Sequence, residues 1–455
     1  MKKTVVTMAA MAAVASAQQA CGVGLPSCPE DAPCCSQYNT CGIGENCLGG
    51  CDPIYSFSAQ ACMPMPTCQN QTYTFGSSNI ASSFVSHTEY LGDPSVDWSY
   101  TGTILFQDGN LLATMPNNSV GTVVSLNHHI WYGQVTVVMK TSHQDGVVSD
   151  NILFAGTKDE IDFEFTGNAL TTAQTNFYSK GILDYDNEVS ETVSNSTYAN
   201  FHTYTVDWTE DSLQWIIDGN SVRTLNKADT FNSSTNEYDY PQTPSRLQLS
   251  VWPGGASNQG AGTISWSGGP LDWNDPDLTN PGYFFIEVES VTVQCYAPPS
   301  GTNTTGSSSY VYTNSAGNQD DVAITDDSTV LDSFEDTGLN STASGVQSEP
   351  ASQINTAGLL QLSEEVPASS ATSSGSVQVL SAVSSSESST SAKETKAASG
   401  SETTAAGSSG ASATGSPSAS GSSSASASTK SNAASSLVLP GASLAAVFAI
   451  CALLF

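Results

Sequence analysis

From residue 159 to 165 the chain reads Asp-Glu-Ile-Asp-Phe-Glu-Phe, and that alternation restricts what the segment can become. Acidic side chains at Glu160, Asp162 and Glu164 alternate with Ile161, Phe163 and Phe165. A period of two is the period of a β-strand, so the three carboxylates share one face and the apolar side chains share the other. Like charges side by side on a strand destabilise a fold, and Lys158 is the one basic residue nearby to offset them. A calcium loop would carry glycine and irregular spacing instead. A solvated acidic edge strand is the remaining alternative to a catalytic role.

Two carboxyl groups held at fixed separation are the apparatus of glycosidic bond cleavage. Residues four apart on a strand have α-carbons about 13 Å apart at roughly 3.3 Å per residue. Glutamate side chains leaning toward each other from such positions bring their carboxyl groups to roughly 5–6 Å, the range of enzymes that retain anomeric configuration. Asp162, between them, can share a proton with one glutamate and push the two pKa values apart. Spacing alone does not say which glutamate attacks and which protonates.

The surrounding residues, 69–300, read as all-β. Short alternating runs such as Gln134–Met139 and Thr203–Trp208 recur between Gly, Asn, Asp and Pro clusters, without a sustained helical period. Leu213–Ile217 runs into Asp218-Gly219, a hairpin signal, and Ile286–Val293 is the expected last strand. Some 230 residues of this kind suit two packed antiparallel sheets.

Net charge and processing signals bound the partners. The 455 residues carry a formal charge of −32 although only 12% are charged. This excludes nucleic acid, which needs clustered Lys and Arg. Lys2 and Lys3 precede an apolar run, and Ala15-Ser16-Ala17 has the form of a signal-peptidase site, so residues 1–17 read as a signal peptide. From Gly301 to Ser436 Ser, Ala, Thr and Gly dominate, which predicts a disordered, O-glycosylated stalk. Residues 437–455 are apolar to the last residue. With Asn432 among small residues upstream, they read as a GPI-anchor signal; a single-pass tail anchor is the alternative. Sequons at Asn70, Asn117, Asn195, Asn232, Asn303 and Asn340 fit a secreted surface.

Of eleven cysteines, nine lie between Cys21 and Cys68, the tenth is Cys295, and Cys451 falls in the tail. Residues 18–68 are too few to bury an adequate core and must rely on disulfides.

Three resemblances give these patterns names. Glu160-Ile161-Asp162-Phe163-Glu164 resembles the catalytic signature of glycoside hydrolase family 16, a family with a concanavalin-like jelly-roll sandwich. The resemblance implies Glu160 as nucleophile, Asp162 as its helper and Glu164 as general acid/base. Cys34-Cys35-Ser36-Gln37-Tyr38 followed by Cys41-Gly42 resembles the hevein-type chitin-binding module. It implies Ser36 and Tyr38 as sugar contacts and the pairs Cys21–Cys35, Cys28–Cys41 and Cys34–Cys47. Thr40 and Asn46 stand where that family usually has further aromatics, and a disulfide knot that only packs against the larger domain is the other reading. The segments around His128-His129, Gln174–Tyr178, Phe201–Tyr204, Leu249–Gly255 and Gly268–Trp273 complete a resemblance to the Crh branch of family 16, fungal enzymes that join chitin to β-glucan. Gln174, Tyr178, Trp252 and Trp273 are the expected substrate contacts. Trp208 and Trp215 are expected in the core, and His202 is weighed between structural and functional roles. The implied protein is a monomer that needs no metal or cofactor, binds chitin and β-glucan, and meets the membrane only through its anchor. The alternatives are a β-glucan or chitin hydrolase of the same fold, or a non-catalytic chitin-binding wall protein.

Overall fold

Alternating apolar residues place one face of each of two large antiparallel sheets against the other. The computed structural model describes residues 19–340 and the two-residue strand Gln378–Val379. The front sheet runs, in spatial order, Val189–Thr192, Thr172–Tyr178, Glu160–Thr166, Val147–Ala155, Ser245–Pro253, Thr122–Leu126, Trp98–Thr101 and Phe84–Ser86. Its neighbours are antiparallel except for the last pair. The back sheet is built around Gly133–Lys140, flanked by His202–Trp208 and Tyr283–Cys295. Asp218 and Gly219 both take positive φ and close the expected hairpin between Ser212–Ile217 and Asn220–Asn226.

The core lies between the sheets. Ile161, Phe163, Leu247, Leu249 and Val251 from the front meet Tyr204, Trp208, Trp215, Ile286 and Val288 from the back, all fully buried. Trp208 and Trp215 are therefore core residues, as expected. His202 is structural: it is buried, with Nδ1 2.7 Å from Asp218 and Nε2 3.1 Å from Asn195.

The small module carries the three pairs its resemblance implies, Cys21–Cys35, Cys28–Cys41 and Cys34–Cys47. Sequence left the other four cysteines open; they pair as Cys51–Cys62 and Cys68–Cys295. The last bond ties the end of the module to the end of the long strand Tyr283–Cys295.

One expectation needs correction: the chain does not become a stalk at Gly301. Asn303–Thr304, Val322–Thr325, Ser309–Tyr312 and Met65–Pro66 form a four-stranded sheet. Tyr310, Tyr312, Val322 and Ile324 are buried in the main core. Leu331 packs against Cys34, Cys47 and Leu48 of the module. The polar average over 301–436 hid two short runs, Ser309–Tyr312 and Val322–Thr325, apolar enough to repay their ordering entropy by burial. Gly44 N–H donates to Asp336 and Gly338 N–H to Ala61, so the segment to residue 340 straps the module in place. The expected signal peptide, the stalk from 341 and the tail with Asn432 lie outside the described residues. Five of the six sequon asparagines are exposed, and Asn232 is half-buried.

Candidate active site

The acidic strand is fixed at its start and from below. It follows a tight hairpin in which Ala155 N–H donates to the Asp159 carbonyl and Lys158 takes positive φ. Asp159 does not face the cleft. Its carboxylate accepts from Gln242 N–H, Thr243 N–H and Oγ1, and Lys180 N–H, which anchors the residue just before the strand. Under the strand, Trp215 Nε1 donates to the Asp162 carbonyl at 2.9 Å. A main-chain acceptor in the middle of a strand thus takes its bond from a side chain of the opposite sheet.

Strand register lays out the face above. Beside Glu160 stand Tyr178 on one side and Phe154 then Arg246 on the other. Beside Asp162 stand Asn176 on one side, then Ile152, Gln248 and Ser125 on the other. Beside Glu164 stand Gln174 on one side and Asp150 then Ser250 on the other. Trp252 follows one step further along its strand, beside Val148. Period-two alternation puts all of these on the face opposite the core.

The electrostatics are those of an acid cluster with little to neutralise it. Asp150, Glu160, Asp162 and Glu164 are all buried. Asp150 Oδ2 accepts from Ser250 Oγ and Trp252 Nε1, both at 2.6 Å, while Oδ1 has no partner. Neither Asp162 carboxyl oxygen meets an N–H or O–H donor, nor does Glu164 Oε1. Burial is the first cause of elevated pKa in all four. Glu160 is raised to about 7, with a hydrogen bond from Asp162 and the charge of Lys158 pulling down and the charge of Asp150 pushing up. Asp150 also rises to about 7. Asp162 is held well above the usual carboxylate range by burial and then by Glu160 and Glu164. Glu164 is held there by burial and then by Asp150 and Glu160. A proton on Asp162 shared with Glu160 satisfies the otherwise orphaned pair. Burial and the mutual repulsion of the cluster therefore raise all three carboxyls of the strand, which favours keeping protons among them near neutral pH.

Gln174, Tyr178 and Trp252, expected from sequence, all come onto this face. Trp273 does not join them in the same way: it is half-buried and leans on the sandwich core. Ser36 is buried, its hydroxyl bonded to Thr40 Oγ1 and approached by Tyr38 N–H, so it is not offered to sugar as the resemblance implied. Tyr38 is half-buried. Two further side chains of the candidate site escaped sequence reading. Trp266, from the short helix Ala261–Trp266, stacks with Trp252 at 6.2 Å between ring centroids and donates to Gln174 Oε1. Asp150 completes the acid cluster. Its signal was a polar triplet, Ser149-Asp150-Asn151, in a strand buried along its whole length.

Residues 92–268 match the model of glycosyl hydrolases family 16. "Crh-like protein 2" of Aspergillus fumigatus is 48% identical over 339 residues, which span 72% of this chain and 76% of that protein. The chain belongs to family 16, alongside the Crh-like proteins. A further relative, "Congo red hypersensitive protein 2" of Saccharomyces cerevisiae, is 47% identical over 318 residues, 69% of this chain and 68% of its own. Among solved structures, "Apo Crh5 transglycosylase" is 29% identical, with a TM-score of 0.49, and covers 60% of this chain and all of its own.

Proposed function

We propose that the protein is a retaining transglycosylase of the fungal cell wall that cleaves chitin and passes the cut chain to β-glucan or chitin. The observation that carries the reading is the trio Glu160, Asp162 and Glu164 on one face of a buried strand, all with pKa values raised by burial. Glu160, the position the family-16 signature gives the nucleophile, attacks the anomeric carbon as carboxylate. Glu164, which holds its proton, gives it to the departing glycosidic oxygen, and a glycosyl ester on Glu160 results. Asp162 donates its proton to Glu160 in the resting enzyme and steadies the carboxylate as charge builds and leaves. Glu164, now ionised, takes the proton of an incoming sugar hydroxyl, whose oxygen displaces Glu160 and restores the starting configuration. Trp252 and Trp266 offer aromatic surface to the apolar face of a pyranose, with Gln174 and Tyr178 as polar contacts.

Chitin as donor and transfer to a second sugar chain are supported by the resemblance to the Crh branch and by the similarity to Crh-like proteins. Secretion and a GPI anchor follow from the two terminal segments. The deciding experiment incubates wild type and Glu160→Gln with chitin and a fluorescent β-glucan oligosaccharide. Label in large polymer with wild type alone supports the reading. New reducing ends without labelled polymer mean hydrolysis, and activity retained by Glu160→Gln means that the nucleophile is misassigned.

A further inference from the structure

The carboxylate that anchors the acidic strand is held by donors that are themselves held by the C-terminal strap. Asp159 Oδ1 accepts from Lys180 N–H at 3.1 Å, and Oδ2 from Gln242 N–H at 3.0 Å. Both donor residues are gripped by the turn Gln319–Asp321 and its N-cap, Asn318. Lys180 Nζ donates to Asn318 Oδ1 at 2.6 Å, and Gln319 N–H donates to Gln242 Oε1 at 3.4 Å. Gln319 is fixed in turn. Its Oε1 accepts from the Tyr132 hydroxyl at 2.5 Å, and its Nε2 donates to Glu210 at 2.8 Å. Two routes therefore lead from adjacent strap residues to the residue immediately before Glu160.

Packing follows the same path. A methyl at Gly317 would stand 3.0 Å from the Thr157 side chain, so the strap runs directly over the hairpin that leads into the acidic strand. Lys180 lies two residues beyond Tyr178, whose register partner on the acidic strand is Glu160. It takes positive φ, a conformation that a lysine keeps only where its surroundings hold it. Its bond to Asn318 carries a full charge on the donor and is therefore stronger than a neutral one. Because Asp159 faces away from the cleft, these bonds act on the strand and not on the sugar.

We infer that Asn318 and Gln319 are positioning residues for the reaction: through Lys180, Gln242 and Asp159 they fix where Glu160 enters the cleft. A carboxylate that must meet an anomeric carbon tolerates little displacement, and a misplacement of about 1 Å costs on the order of a hundredfold in rate. Loss of one holding route leaves the other, so each single substitution is expected to cost less, about tenfold. This rests on the glycosyl-transfer reading proposed above.

Steady-state transfer from chitin to a labelled β-glucan oligosaccharide, run on full-length protein, tests it. In Asn318→Ala and in Gln319→Ala, kcat is expected to fall about tenfold while KM stays close to wild type. Asn318→Asp keeps an oxygen for Lys180 Nζ and should restore kcat. Lys180→Met cuts the same bond from the other side, leaves the strap sequence intact and should reproduce the loss. Ser333→Ala removes a strap bond to Asp336, where the strap meets the module, and should leave kcat unchanged. Unchanged kcat in the alanine variants, an equal fall in Ser333→Ala, or an Asn318→Asp protein as slow as Asn318→Ala overturns the positioning role. A wild type inactive on every polysaccharide overturns the functional reading first, and the positioning role falls with it.

Discussion

Replacing Glu160 with glutamine should abolish turnover and yet make the protein harder to unfold, at alkaline pH only. Burial and the charge of Asp150 lift the Glu160 pKa from 4.5 to about 7. A carboxyl with a raised folded-state pKa keeps its proton after the unfolded chain has lost it. Its contribution to stability is intact below about pH 4 and is lost as pH climbs through 7. A shift of about 2.5 units corresponds to about 3 kcal/mol at pH 8. Glutamine carries no charge at any pH, so the Glu160→Gln protein escapes that loss. For roughly 320 ordered residues, with an unfolding entropy of about 2.1 cal/mol/K per residue, 3 kcal/mol raises Tm by about 4–5 °C. Calorimetric scans of both proteins at pH 4 and pH 8 measure it. A variant that melts at or below wild type at pH 8, or whose advantage is equal at both pH values, would refute the claim that this carboxyl is held ionised at a cost.

Asp150→Asn removes a negative charge that raises both Glu160 and Glu164. Both limbs of the pH profile of kcat/KM should move to lower pH, with the larger loss of activity on the alkaline side. A chain ending at residue 300 forfeits the strands Ser309–Tyr312 and Val322–Thr325 and should express as aggregate, whereas one ending at 340 should melt like the full chain. Replacing Cys68 and Cys295 together with alanine opens a link across 227 residues. The loss is up to about 5 kcal/mol in the chain-entropy picture, read as a fall of several degrees in Tm with the same far-ultraviolet spectrum. Gly156→Ala would put a methyl carbon 2.3 Å from the Cys51 carbonyl oxygen. It should loosen the module and speed proteolysis between residues 19 and 68.

Sheet strands and acidic trio were legible because both are local patterns of period two. Glu160, Asp162 and Glu164 announce their common face within five residues, and Asp218-Gly219 announces its hairpin. Asp150 was not legible, since its meaning lies in pairing with Glu164 across a hairpin, and the register of that hairpin depends on the turn at Gly156–Asp159. Trp266 was missed because a six-residue helix has too few residues to show a period. The stalk boundary failed for a related reason: Tyr310, Tyr312, Val322 and Ile324 sit in two short apolar runs within a long polar stretch. Their value comes from a core that folds elsewhere and from the two-residue strand Met65–Pro66. The disulfide pairs implied by the module's motif match those in the structure, whereas Cys68–Cys295 joins residues that only tertiary structure brings together.

The bond from Trp215 to the Asp162 carbonyl ties the far layer of the sandwich to the middle of the acidic strand. Random mutagenesis that scores growth or wall strength would recover hits at position 215 and at its neighbours Tyr204 and Val206. These would look like folding defects by location but like active-site lesions by rate. An engineer seeking faster variants has a lever there, well hidden from any substrate: small changes in how that indole sits would tilt the whole reacting strand.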